Sequence, residues 1–360
     1  MAADYWTSTQ RTYWTFTPEK LSSIRDDLER ANAKTIEQFP FPDRRLMFIF
    51  LRDRLVQLGK RLPFRQQCMA TALVYLHRYF LSTPMQNVNI YLLVATAFYL
   101  SSKTEESPHH IRLVAAEARQ AWPELMPGDV FRLGEMEFCL ISEMRSQLIV
   151  WHPYRTLIAL KENQDLRLTN DELGLAWSII NDSYMTDLPL TCPPHLIAII
   201  AMLLAVVFLP TAKASGTLRP ISHESLVNPD SSAGPFSSLV GRNGQNLSSS
   251  FSAAVGNLQM SNNNQQFGQH SVNNNQGKSR AAQESSATDR DKDKTIVAAI
   301  KDSEKLQNII TFLVESGIDV EQVINGVQEM ISLYSVWEEY NEKTVREAVA
   351  RCIKGRGLDG

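Results

Sequence analysis

Cysteine is scarce in this 360-residue chain, and what there is does not cluster. Cys68, Cys139, Cys192 and Cys352 lie far apart and form no C-x-x-C pair. That argues against a zinc site or a disulfide scaffold and fits the reducing cytosol or nucleus. Charge of one sign is also lacking. Lys and Arg number 36 against 39 Asp and Glu, for a net charge of -3 and a pI near 6.2. No whole-chain basic excess points to nucleic acid. Nor is there a membrane-length apolar run. The longest stretch, Leu196 to Leu209, has 14 residues, follows Pro193-Pro194 and stops at Pro210. About 20 are needed to span a bilayer, so a buried helix is expected and no membrane partner. Met1 to Gln10 lacks an apolar run and carries Asp4, so no secretory signal is read there.

Catalytic signatures are equally thin. Gly277-Lys278-Ser279 resembles the end of a phosphate-binding loop, but Val272 stands where the first glycine belongs. His223-Glu224 lacks its second histidine, since position 227 is Val227. The adjacent His109 and His110 would point about 100° apart on a helix and form no chelating pair. Glu105, Glu106 and Glu135 could be described as paired carboxylates, yet nothing marks a pocket for acid–base work. No cofactor, no metal and no catalytic residue is expected.

What is present is helical periodicity. Thr17-Pro18-Glu19 reads as a cap, a proline at the first turn and an acid. Leu21, Ile24, Leu28 and Ala31 follow on one stripe. Further helices are expected from Pro42-Asp43 to Gly59 (a C-cap), from Pro63 to Leu81, from Ser107-Pro108 to Ala121 and from Pro127-Gly128-Asp129 to Met144. They surround Ile90 to Leu100, which is apolar nearly all round. A second set opens at Trp151-His152-Pro153 and at Asp171, and Leu196 to Leu209 is its enclosed helix. From Thr211 to about Lys294 the chain turns to Ser, Asn, Gln and Gly, with Asn262-Asn263-Asn264-Gln265-Gln266 and Asn273-Asn274-Asn275-Gln276 as low-complexity runs. Such composition predicts a disordered insertion. Helical pattern resumes at Thr295, and Asp319 with Gln322 reads as a cap for a helix through Tyr340.

The segment Ser102-Lys103-Thr104-Glu105-Glu106 breaks abruptly from an apolar helix, and Glu135 follows in a later long helix. This pattern suits a solvated helix end with an ordinary ion pair. A second reading is a Lys and a Glu at the rim of a rigid bundle, hydrogen-bonding a partner's backbone.

Several runs together resemble the cyclin family. Phe50 to Gly59, Ala70-Thr71-Ala72 through Tyr79-Phe80-Leu81, Tyr99-Leu100-Ser101-Ser102-Lys103-Thr104-Glu105-Glu106 and Gly134-Glu135-Met136-Glu137-Phe138-Cys139-Leu140 look like a cyclin box. Tyr5-Trp6-Thr7-Ser8, Leu148 to Arg155, and Ala176 to Leu188 with Pro193-Pro194 are similar to the cyclin C branch, the fungal type of cyclin-like subunit of the RNA polymerase II mediator kinase module. The resemblance implies an all-α fold: two tandem cyclin-box five-helix bundles, with an N-terminal helix and a disordered insertion in the second. On this reading residues 1–41 are an N-terminal segment and helix, 42–147 the first box, and 148–210 plus 295–345 the second bundle. Residues 211–294 are the insertion and 346–360 a C-terminal tail. It implies a regulatory subunit, not an enzyme, that binds and activates a cyclin-dependent kinase of the mediator in the nucleus. The partners are that kinase and other subunits of the kinase module, with no direct nucleic acid. Lys103 would reach backbone carbonyls beside the kinase αC helix, Glu135 would orient Lys103, and Glu106 joins them as kinase-binding. A general transcription factor of the TFIIB kind, using cyclin folds to grip DNA, is the alternative; it would want a basic face and a zinc ribbon. Substrate-docking cyclins carry a Met-Arg-Ala-Ile-Leu patch, for which this chain has Met47-Phe48-Ile49-Phe50-Leu51. Without the Arg, substrate recruitment through that patch is not expected.

Overall fold

The computed structural model describes residues 4–214 and 304–358. Among the described residues the chain is all-helical, with fifteen α-helices, two short 3-10 turns and no strand. The insertion expected at 211–294 lies outside the described residues, except that 211–214 extend the preceding helix.

The first bundle is built from α4 (Arg44–Gly59), α5 (Gln66–Tyr79), α6 (Ile90–Thr104), α7 (Ile111–Ala121) and α8 (Val130–Glu143). Asn89 starts α6 by accepting from the backbone N–H groups of Tyr91 and Leu92. Every residue from Ile90 to Phe98 is buried, so α6 is the axis and α4, α5, α7 and α8 pack around it. The other helices are two-faced. On α8, Leu133 and Leu140 point in, while Phe131 and Phe138 are exposed. In the second bundle α12 (Pro194–Ala214) is the axis, packed by α9 (Tyr154–Glu162), α10 (Asn170–Ser183) and α14 (Val320–Glu338). A Cβ at Gly326 would meet Ile200 Cδ1 at 2.2 Å, so glycine lets α14 approach α12 closely. α13 (Glu304–Glu315) adds the fully buried Ile309, and the four-residue α11 (Leu188–Thr191) leads into α12.

The ends of the described chain cross over. α1 (Thr9–Trp14), α2 (Pro18–Ala31) and α3 (Ala33–Gln38) precede the first bundle, yet they bond to later residues. Phe16 N donates to Leu190 O at 2.8 Å, and Arg25 grips Asp187 with both guanidinium nitrogens at 2.6 and 2.5 Å. Burial pushes the Asp187 carboxyl up, but the Arg25 pairing outweighs it and holds the group below the usual range. Conversely, residues 346–360, expected to be a tail, lie mostly in α15 (Glu342–Arg356). That helix buries Val345, Val349, Cys352 and Ile353 and packs against α4. Its apolar positions recur at helical spacing among many charges, which disguised it as a tail.

Two caps differ from the sequence reading. Gly59 is not a left-handed cap; Lys60 caps α4 in an ordinary right-handed conformation. α10 is capped by Thr169, not Asp171, through a reciprocal box with Glu172.

Charge is divided between the bundles. From Arg44 to Lys103 there are nine Lys and Arg against the single acid Asp53, whereas residues 306–342 hold seven acids and no Lys or Arg. The halves meet across α4: Arg54 pairs with Glu342 at 2.5 Å, and Arg45 donates to Ser332 Oγ at 2.6 Å.

Candidate partner-binding site

Lys103 lies in the last turn of α6, where a cation is favoured at the helix C-terminus. Its side chain is partly exposed, and it is held from two sides. The ammonium sits over the Tyr99 ring, one turn back, 4.4 Å from the centroid. It also makes an ion pair with Glu137 Oε1 from α8. The Glu137 side chain is only 12% exposed, so the pair is partly desolvated and stronger than a surface pair.

This corrects the expectation for Glu135. Glu135 pairs instead with Arg132, one turn back on its own helix at 3.6 Å, and is largely exposed. The reason is helical geometry. Glu137 is four residues from the buried Leu133 and three from Leu140, so it shares their inward stripe. Glu135 is two residues from Leu133 and lies about 160° round the helix. The i, i+4 and i+7 spacing of Leu133, Glu137 and Leu140 was the signal in the sequence.

Glu106 is exposed, just past the end of α6, with a left-handed backbone at φ 54°. Ser107 N closes the turn by donating to Ser102 O at 2.8 Å. Glycine usually occupies such a position. Lys103 and Glu106 therefore share one rim, and Glu135 lies on the outward face of α8. Two residues missed from the sequence flank it there: Phe131 and Phe138 are 80% and 76% exposed, seven residues apart on one face. Paired exposed aromatics on a rigid helix suit an interface.

Behind the rim the bundles are fastened together. Glu105 Oε1 accepts from Thr71 Oγ1 at 2.5 Å and Glu105 Oε2 accepts from Gln67 Nε2 at 2.7 Å. His152 lies 2.7 Å from both Thr71 Oγ1 and the Tyr184 hydroxyl. Burial pushes the Glu105 carboxyl up, but hydrogen bonding to His152, Thr71 and Gln67 outweighs it and leaves the group below its usual value. Tyr154 donates to Asn181 Oδ1 at 2.7 Å, and Arg78 donates to the Gln147 carbonyl at 2.7 Å. His152 of the His-Pro-Tyr-Arg run meets Thr71, and the Tyr184 carbonyl of the Asn-Asp-Ser-Tyr run meets His77, so both runs are part of the join between bundles.

The run Met47 to Leu51 is enclosed, each residue at 1% exposure or less. Arg54, one turn further on, stacks over Phe50 and pairs with Glu342, so α15 covers this side of α4.

Two tandem helical bundles, each wound on an enclosed helix, with a lysine-centred rim on the first, define a cyclin-type architecture. The model of the cyclin N-terminal domain matches residues 42–148. The RNA polymerase II holoenzyme cyclin-like subunit of Aspergillus oryzae is 41% identical over 366 residues, covering 100% of both chains. That of Neurospora crassa is 37% identical over 369 residues, again covering both chains fully. The chain belongs to the cyclin family, alongside these fungal RNA polymerase II holoenzyme cyclin-like subunits. Among solved structures, a chain of the CAK complex from Chaetomium thermophilum is 19% identical with a TM-score of 0.47, over 66% of this chain and 79% of that one. A chain of the yeast TFIIK complex is 20% identical with a TM-score of 0.46, over 57% and 91%.

Proposed function

We propose that this chain is a non-catalytic regulatory subunit that binds a cyclin-dependent kinase of the mediator complex and holds it in its active shape, acting on RNA polymerase II transcription in the nucleus. The observation that carries this reading is the Lys103–Glu137 pair on a stiff bundle rim, with Phe131 and Phe138 exposed on the same helix as Glu137. The name borne by the relatives, an RNA polymerase II holoenzyme cyclin-like subunit, supports it.

A protein kinase needs its β3 lysine paired with the glutamate of helix αC and its metal-binding aspartate in place. A free kinase with αC swung out can be shifted by a protein that binds only the swung-in form. Moving that balance from about 1:99 to 99:1 takes roughly 5.5 kcal/mol of differential binding. Lys103 supplies donors for backbone carbonyls beside αC, Glu106 lines the same rim, and the two phenylalanines supply apolar area. Interfaces of the obligate kind commonly bury about 2,000 Å² or more, with a few residues dominating. Remaining surface serves other subunits of the kinase module.

The test is purification of the tagged chain from its native cells, with mass spectrometry and a kinase assay on what stays bound. Wild type should retain a cyclin-dependent kinase, and Lys103→Glu should lose binding and activity together. Recovery of no kinase, with DNA retained in a salt-dependent manner, would overturn the reading.

A further inference from the structure

We propose that Tyr99 is a positioning residue, whose ring fixes the Lys103 ammonium against Glu137 so that the cation is presented to its partner already in place. The proposal rests on the reading of Lys103 as a kinase contact and adds to it the device that aims the lysine.

Lysine carries four rotatable side-chain bonds, and much of that freedom is lost when it is held at an interface. An ion pair alone fixes the ammonium weakly, because three equivalent donors rotate about a compact point charge. Here the restraint is doubled. Tyr99 lies four residues before Lys103 and therefore on the same helix face. Its ring centroid is 4.4 Å from Nζ, well inside the distance at which a ring face attracts a cation. The second restraint comes from α8, where the carboxylate of Glu137 is mostly enclosed. Tyr99 is itself only part-buried and packs against the core, which keeps its ring still. Ring and carboxylate take up part of the ammonium's surroundings, and the Lys103 side chain remains 38% exposed. The exposed part is what a partner's carbonyl oxygens can reach.

The attraction comes from the ring face and not the hydroxyl, so phenylalanine should serve and leucine should not. The effect must also run through Lys103. An exposed cation–ring contact is worth a two- to fivefold change in an equilibrium, by the rule of about 1.4 kcal/mol per tenfold.

The experiment has two arms on the full chain. The first measures affinity for the kinase recovered with wild type, in Tyr99→Leu, Tyr99→Phe, Lys103→Met and the Tyr99→Leu/Lys103→Met pair. Tyr99→Leu should weaken binding about two- to fivefold, Tyr99→Phe should bind as wild type, and Tyr99→Leu should change nothing once Lys103 is methionine. An equal loss in both backgrounds would make Tyr99 a direct contact or a packing residue and overturn the proposal. The second arm needs no kinase. The rate at which an amine-acylating reagent modifies Lys103 is followed by peptide mass spectrometry, with the other lysines as internal controls. Lys103 should react faster in Tyr99→Leu than in wild type or Tyr99→Phe. If Lys103→Met binds kinase normally, the kinase reading of Lys103 fails while the acylation arm still decides whether Tyr99 holds it. An unchanged acylation rate in Tyr99→Leu overturns the positioning role itself.

Discussion

His77, inside α5, donates from Nε2 to the backbone carbonyl oxygen of Tyr184, 2.8 Å away, so the first bundle is bonded to the second through a buried imidazole. The ring also stacks on Phe48, with centroids 3.7 Å apart. Burial, with the charge of Arg44 nearby, pushes His77 down to about 3. In the unfolded chain it should titrate near 6.5. The neutral ring's contribution is therefore complete above about pH 6.5 and is lost as pH falls toward 3, with the unfolded chain taking up the proton. At pH 5 the loss should be about 2 kcal/mol relative to pH 7.5. His77→Phe keeps the stack and has no proton to gain. It should be about 1–3 kcal/mol less stable at pH 7.5, because the Tyr184 carbonyl loses its donor. Its stability should then fall less than wild type between pH 7.5 and 5. Urea unfolding at both pH values checks this, and parallel losses in the two proteins would rule His77 out as the source.

Glu137, not Glu135, should matter for partner binding. Glu137→Ala removes the enclosed partner of Lys103 and should weaken kinase binding by about tenfold or more. Glu135→Ala removes an exposed pair within one helix and should change affinity less than about threefold. Titration of each variant with the purified kinase compares them. A larger effect from Glu135 would restore the first assignment.

Glu106 offers a trade between stability and binding. Its left-handed backbone disfavours any residue with a Cβ, so Glu106→Gly should raise folding stability by about 1 kcal/mol. If the carboxylate also meets the kinase, the same variant should bind less well. Thermal melts and affinity on one preparation test both halves, and a gain in binding would remove Glu106 from the site.

Helix α15 should be structural. Ile353 is 1% exposed, and Ile353→Ala should cost about 2–5 kcal/mol in chemical denaturation. A cost near zero would mean that the helix is dispensable, as a tail would be.

Much of the architecture was legible because two helices are apolar all round. Ile90 to Leu100 and Leu196 to Leu209 can only be enclosed, and amphipathic neighbours at helical spacing imply what encloses them. The Lys103 rim was visible as a break from apolar to polar residues at a helix end. Its carboxylate partner is Glu137, two residues beyond the Glu135 that the resemblance suggested, because Glu137 and not Glu135 falls on the inward stripe with Leu133 and Leu140. α15 was missed for a different reason: Arg346, Arg351 and Lys354 outweigh four apolar positions whose only clue is their spacing. The bonds between bundles were not legible at all. Thr71 and His152 stand 81 residues apart, and nothing local in either run says that the two will meet.

Because α15 completes one side of the first bundle, that bundle waits for residues synthesised long after its own. Arg54 and its partner Glu342 are separated by 288 positions, so the flank of α4 that α15 covers stays open until that distant segment has been made. A chain released early, before α15, would present that flank permanently. Quality control would then recognise it by the same surface that maturity conceals.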